Sequence, residues 1–169
     1  MVEALDDQIP MMPQLIERVG SIVFRSRVDS SKRVGRRVVL QLENAMRELP
    51  QVELPTDHLF ADGMYARKVF FKAGIVAVGK MHKRGHFFIV TKGVVEVAMD
   101  DGKHTMTAGT VLVSKPGAKR ALFATENAVY MTVHCTNKRN LDKIEAELIE
   151  PDRKALFDAS NKFKVKELT

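Results

Sequence analysis

The stretch Gly74-Ile-Val-Ala-Val-Gly-Lys-Met-His-Lys-Arg-Gly-His-Phe-Phe-Ile-Val-Thr-Lys-Gly93 decides how the chain is read. It holds two short runs rich in β-formers, Ile75 to Val78 and Phe87 to Val90, separated by a Lys83-Arg84-Gly85 bend. Lys92-Gly93 closes it and reads as a tight hairpin connection. Successive side chains on a strand point to opposite faces. Val76, Val78, Lys80 and His82 therefore share one face, and Ile75, Ala77, Gly79 and Met81 the other. His86 then arrives from the next strand.

Outward from this stretch the same texture continues. Val69 to Phe71, Val94 to Met99, Thr110 to Val113, Ala121 to Ala124 and Ala128 to Val133 are short apolar runs between turn residues, and Asp100-Asp101-Gly102 reads as a second hairpin. Regular short strands predict a sandwich or barrel over residues 51–136. Residues 1–50 read as a basic helical segment. Pro10 and Pro13 interrupt its opening, Gln14 to Arg27 mixes apolar and polar positions, and Ser30 or Ser31 can cap a helix. Val34, Val38, Leu42, Ala45 and Leu49 recur at helical spacing, with Arg33, Arg36, Arg37 and Glu43 on other faces. Such a stripe must be buried, on the barrel or on another subunit. Residues 137–169 read as a C-terminal helix carrying Leu141, Ile144 and Leu148, ended by Pro151 and followed by a lysine-rich stretch that frays.

Composition narrows the class. A chain of 169 residues with 45% hydrophobic content is one domain with a real core. No apolar run approaches the roughly 20 residues of a membrane span. The acidic opening Met1-Val-Glu-Ala-Leu-Asp-Asp argues against a secretory signal. The single cysteine, Cys135, excludes an intrachain disulfide, fits a reducing compartment, and falls late in a strand as a small buried residue. The net charge of +6 collects in Arg25, Arg27, Lys32, Arg33, Arg36 and Arg37, opposed nearby only by Asp29. These arginines form either a solvated helix face or a docking surface for nucleic acid or an acidic partner. Only Phe24 interleaves with them, so no platform for stacking single-stranded bases is indicated.

The spacing from Gly74 through Lys80, His82 and His86 to Gly93 resembles the first signature of the cupin family, in which a glycine precedes a His-x-His pair, a carboxylate and a closing glycine. Gly109-Thr-Val-Leu-Val-Ser-Lys-Pro-Gly117 resembles the second, with its proline one position late and Arg120 at the place of the fourth ligand. The resemblance implies a mainly β, cupin-like jelly-roll barrel. It also implies that Lys80, His82, His86 and Arg120 face the barrel mouth, where His134 can join from the last strand. Only His82 keeps the family's ligand type in place, and Lys80 and Arg120 are cations that cannot ligate a metal.

Three readings of the mouth stay open. His82, His86 and His134 can serve as imidazole ligands for one divalent metal such as zinc, against the Coulomb repulsion of Lys80 and Arg120. Lys80, Arg120 and the histidines can instead hold a carboxylate or phosphate. In a purely structural reading no cofactor is present, and the histidines and Lys80 bond to backbone or to Asp57, Asp62 or Glu96. His58 and His104 read as solvent-facing turn residues. No nucleophile elbow, phosphate-cradling glycine loop or Cys-x-x-Cys pair occurs.

From Leu54 to Ile149 the chain is also similar to a group of small cupin-like proteins encoded by tailed bacteriophages. The resembling features are Gly63-Met-Tyr-Ala-Arg67, Gly79-Lys-Met-His-Lys-x-x-His86, Val113-Ser-Lys-Pro-Gly-x-Lys-Arg120, Thr132-Val-His-x-Thr136 and Asn140-Leu-Asp-Lys-Ile-Glu-Ala-Glu-Leu-Ile149. This implies a phage or prophage origin, in the virion or the host cytoplasm, and a non-enzymatic role through assembly. The expected partners are further copies of the chain, phage structural proteins, and nucleic acid at Arg25, Arg27, Arg33, Arg36 and Arg37. The opposing expectation is a metal-dependent or anion-binding enzyme, or a small-ligand sensor.

Overall fold

The computed structural model describes residues 36–99 and 102–164. Its elements are α1 (Arg36–Met46), β1 (Thr56–Ala61), β2 (Met64–Phe71), β3 (Val76–Val78), β4 (His86–Lys92), β5 (Val94–Met99), β6 (Gly102–Thr107), β7 (Val111–Ser114), β8 (Ala121–Ala124), β9 (Ala128–Cys135) and α2 (Leu141–Leu148). The strands form a five-stranded sheet in the order β1-β2-β9-β4-β7 and a four-stranded sheet in the order β3-β8-β5-β6. Every pairing between them is antiparallel. Apart from β1, this is the eight-strand jelly roll of two interlocked Greek keys. The expected fold class holds.

Alternation places one face of each strand in the space between the sheets. Val69 and Phe71 of β2, Phe88 and Val90 of β4, Val95 and Val97 of β5 and Leu122 of β8 are buried there together. Gly93 shows why the chain can turn where it does. Its φ is +73°, and a Cβ would lie 2.4 Å from the Asn127 carbonyl oxygen and 2.8 Å from Ala128 Cα, so only glycine fits. The expected Lys92-Gly93 hairpin is not one. β4 pairs with β7 and β9 whereas β5 pairs with β6 and β8, so Gly93 is the corner at which the chain passes from one sheet to the other. The β5–β6 hairpin does form, with Met99 opposite Gly102, although Asp100 and Asp101 themselves lie outside the described residues.

Two strands escaped the sequence reading. β1 (Thr-Asp-His-Leu-Phe-Ala) and β6 (Gly-Lys-His-Thr-Met-Thr) are polar in composition and alternate in burial. His58 and His104 consequently sit in strands rather than in solvated turns. Cys135, expected to be buried, is exposed at the end of β9, because it falls on the outward register while His134 takes the inward one.

The helical stripe is spent within the chain. Val39 and Leu42 are buried against Ala98 and Ala121, with Val38, Met46, Val76, Val78 and Phe123 packed around them. Helix α1 therefore covers the outer face of the four-stranded sheet, and the stripe is not left free for another subunit. Ala45, expected in the stripe, is exposed, and Met46 takes the packed position. The described helix spans Arg36–Met46. The expected helix over Gln14 to Arg27, the caps at Ser30 and Ser31, and Arg25, Arg27 and Arg33 lie outside the described residues. Arg36 and Arg37 are exposed, and an Arg36 guanidinium nitrogen lies 3.0 Å from the Met81 sulfur. A 2.7 Å ion pair from Lys119, which is 6% exposed, to Glu43 fastens α1 to the loop before β8.

Helix α2 begins as expected. Asn140 caps it by accepting a hydrogen bond from the Lys143 amide, and Ile144 and Leu148 pack on Tyr65. The chain after Pro151 does not fray before its last described residue. Asn161 donates to the Leu54 carbonyl, Lys162 pairs with Glu53, and the Lys164 amide donates to the Leu156 carbonyl.

Candidate functional site

Register builds the site. In the inward row at one end of the five-stranded sheet, Tyr65 of β2 lies opposite His134 of β9, and His86 of β4 lies opposite Ser114 of β7. The next row places Arg67 opposite Thr132, which in turn faces Phe88. His82 comes from the connection after β3. Its carbonyl accepts from the Gly117 amide at 2.8 Å. Its neighbours are tied to α2: the Lys83 amide donates to the Leu148 carbonyl, and the Glu150 amide to the Met81 carbonyl.

Three imidazoles meet at this place. The ring centroids of His82 and His86 are 4.0 Å apart, those of His86 and His134 4.7 Å, and those of His82 and His134 5.0 Å. One ring nitrogen of each lies within 4.8 Å of those of the other two. His86 and His134 are 7% and 5% exposed. Loss of solvent, which penalises the charged ring, pushes His82 down to about 2 and His86 and His134 down to about 4. Neighbouring groups add to the effect: His86 and His134, then Arg120 and Arg67, at His82; His86, then Arg67, at His134; and Arg120 at His86. All three rings are neutral at ordinary pH, the state a metal ligand requires. His86 Nδ1 lies 3.4 Å from the Arg84 carbonyl oxygen.

The other expected pocket residues divide. Arg120 belongs: it is buried, donates to the Ser114 hydroxyl at 2.6 Å, and lies 5.5 Å from the Phe88 ring centre. Lys80 does not share the cluster. Strand β3 ends at Val78, so the alternation extrapolated to residue 82 fails: Ile75 and Ala77 pack toward the barrel interior, while Val76 and Val78 pack on α1. The Lys80 ammonium instead pairs with Glu145 of α2 at 2.7 Å and donates to the Asp158 carbonyl. Burial lowers its pKa, and Glu145 opposes that shift. Asp57 and Glu96, expected partners of the cluster, pair with Lys68 and Lys103.

Arg67 and Tyr130 were missed as pocket residues. Both line a cavity, and Arg67 acts electrostatically on His82, His134 and Tyr130. The signal was present: on the inward face of β2, Arg67 is the one charge between Tyr65 and Val69. His58 joins from β1 through a 2.7 Å contact of Nδ1 with the Tyr65 hydroxyl, and Tyr65 stacks in turn on His134.

No family model matches the chain, and no curated protein matches it. Among solved structures it is similar to a cupin-2 domain containing protein from Shewanella frigidimarina, at 17% identity over 60% of this chain and 99% of that one, with a TM-score of 0.43. It is similar to KdgF from Halomonas sp. at 15% identity over 52% and 84% of the two chains, with a TM-score of 0.46. It is also similar to the EutQ protein of Clostridium difficile at 14% identity over 51% and 70%, with a TM-score of 0.43. Among the described residues no helix is long and apolar enough to cross a membrane.

Proposed function

We propose that this cupin-like barrel binds one divalent metal ion, zinc or another late first-row ion, through His82, His86 and His134. The observation that carries the reading is the convergence of three neutral, largely buried imidazoles from three separate segments on one point. Neutral imidazole donors suit such ions. Arg120 and Arg67 add positive charge beside them, so the fit is best when an anionic group completes the site. A bound ion of this kind supplies Lewis acidity toward an oxygen ligand. The chain's own part is to hold the rings neutral and oriented and to exclude water behind α2. Arg120, held by Ser114, offers its remaining N–H donors to an anion. Elemental analysis of protein purified without chelator tests this: about one metal per chain, lost in His82→Ala and His134→Ala, is expected, and a folded metal-free protein that takes up no zinc on titration refutes it.

The assembly reading keeps one specific support. On the outer face of the five-stranded sheet, Phe87 lies opposite Val113 and Ile89 opposite Val111, beside the edge of β7, which is unpaired among the described residues. Phe87, Val111 and Val113 are 48%, 56% and 67% exposed. A cluster of this kind marks an association surface, and a second copy of the chain is the occupant proposed here. The bacteriophage origin, the place in a virion and nucleic-acid docking rest on the sequence resemblance and the basic segment. Light scattering of Val113→Lys at micromolar concentration should give half the mass of the parent; an unchanged mass removes this surface from the assembly.

A further inference from the structure

A cavity of about 220 Å³ opens between the end of α1 and the tail segment and runs past β3 into the barrel. Its outer walls are apolar, with Met46, Leu54, Ile75, Leu156 and Phe157 among them, and its inner end presents Arg67 and Tyr130. The other charged groups on its walls are engaged: Glu43 with Lys119, Arg47 with Asp152, and Lys80 with Glu145. Arg67 differs. Among the described residues it has no hydrogen-bond or ion-pair partner.

Arg67 is half-buried on the cavity wall, and its surroundings supply no counter-charge. Arg120 adds a second guanidinium to the barrel interior, and no aspartate or glutamate is buried among the described residues. Even partial withdrawal of a charge from water is unfavourable without a partner. The residue opposite Arg67 across the sheet, Thr132, has a buried hydroxyl that is also without a hydrogen-bond partner. Thr132 is not on the cavity wall, so Arg67 is the group there that lacks an oxygen partner.

We infer that the cavity is the binding site of a small monocarboxylic acid, its carboxylate on Arg67 and its apolar body along Leu54, Ile75 and Leu156. A planar guanidinium matches a carboxylate in a two-bond fork. The apolar walls favour one anionic group on a hydrocarbon body over an inorganic phosphate. At about 30 Å³ per water-sized unit the volume admits roughly seven non-hydrogen atoms, the size of pentanoate. The inference does not rest on the metal reading.

Calorimetric titration of the full chain with straight-chain carboxylates from propanoate to octanoate, and with the matching primary alcohols, tests it. Measurements are made first in chelator and then with zinc. Affinity should rise about fourfold per added CH₂ up to about pentanoate and then level. The alcohols should bind at least about tenfold more weakly, and Arg67→Gln should cost at least about tenfold for carboxylates alone. Alcohols binding as tightly as acids, or Arg67→Gln leaving affinity within twofold, would overturn the assignment. Binding that requires zinc and survives Arg67→Gln would overturn it too, by placing the carboxylate on the metal site instead. Should Arg67→Gln not fold, the alcohol comparison and the chain-length series on the unaltered chain decide alone.

Discussion

Acid should dismantle this fold over a narrow range, and the three buried histidines set how steeply. An unfolded histidine titrates near 6.5, whereas the folded values are about 2 for His82 and about 4 for His86 and His134. The unfolded chain therefore binds protons that the folded chain refuses. The neutral rings have no such effect well above 6.5, stability falls as pH drops below it, and the loss stops growing only below the folded values. Integrated down to pH 5, each ring costs about 2 kcal/mol, and the three together at most about 6 kcal/mol. Total stabilities of about 5–15 kcal/mol leave little after such a loss. His58, also lowered by burial, acts in the same direction. Urea unfolding in chelator at about pH 7.5, 6 and 5 measures this, with an expected slope near pH 5 of about 4 kcal/mol per pH unit. His134→Gln should remove about a third of the slope even if it weakens the fold at pH 7.5. A change below about 1 kcal/mol between pH 7.5 and 5, or a slope unaltered in His134→Gln, would refute the claim that these rings are buried neutral.

Other expectations follow from single contacts. Glu43→Gln leaves the 6% exposed Lys119 ammonium without its carboxylate and should cost about 3 kcal/mol in urea unfolding; a cost within about 0.5 kcal/mol would mean that water already screens the pair. Gly93→Ala drives a Cβ into backbone at 2.4 Å and should prevent soluble expression or lower the melting temperature sharply, whereas Gly109→Ala, where nothing lies within 4 Å, should cost only about 1 kcal/mol for its positive φ. Leu42→Ala opens a cavity under α1 and should cost about 3 kcal/mol without altering zinc binding.

The sequence carried the barrel more fully than its mouth. Alternating apolar residues forecast seven of the strands, but β1 carries Thr56 and His58 on its inward face and β6 is polar on its outward one, so neither shows a run of β-formers although each pairs with the strand next to it in the chain. His82, His86 and His134 were singled out together because their positions fit the resembling motif and the last strand's register. Lys80 was misplaced because alternation was carried past Val78, where the strand ends. Its partner Glu145 lies on a helix that packs across the mouth, a tertiary fact without a local signature. Arg67 went unassigned because an isolated arginine in a strand is ordinarily a surface residue; only the inward register of Tyr65 and Val69 on either side marks it.

The threads that tie Met81 and Lys83 to Leu148 and Glu150 also bear on when the protein becomes itself during synthesis. Among the described residues β2 has only β1 and β9 for neighbours, and the histidine cluster needs a ring from β9 and a helix that begins later still. A growing chain can pair β5 with β6 early, since those strands are contiguous, but it cannot close the barrel until residue 135 has emerged. Such long-range closure is slow and leaves strand edges open in the meantime. The proposed binding of a metal or an acid should therefore appear abruptly, in nearly finished chains, rather than accumulate as the chain lengthens.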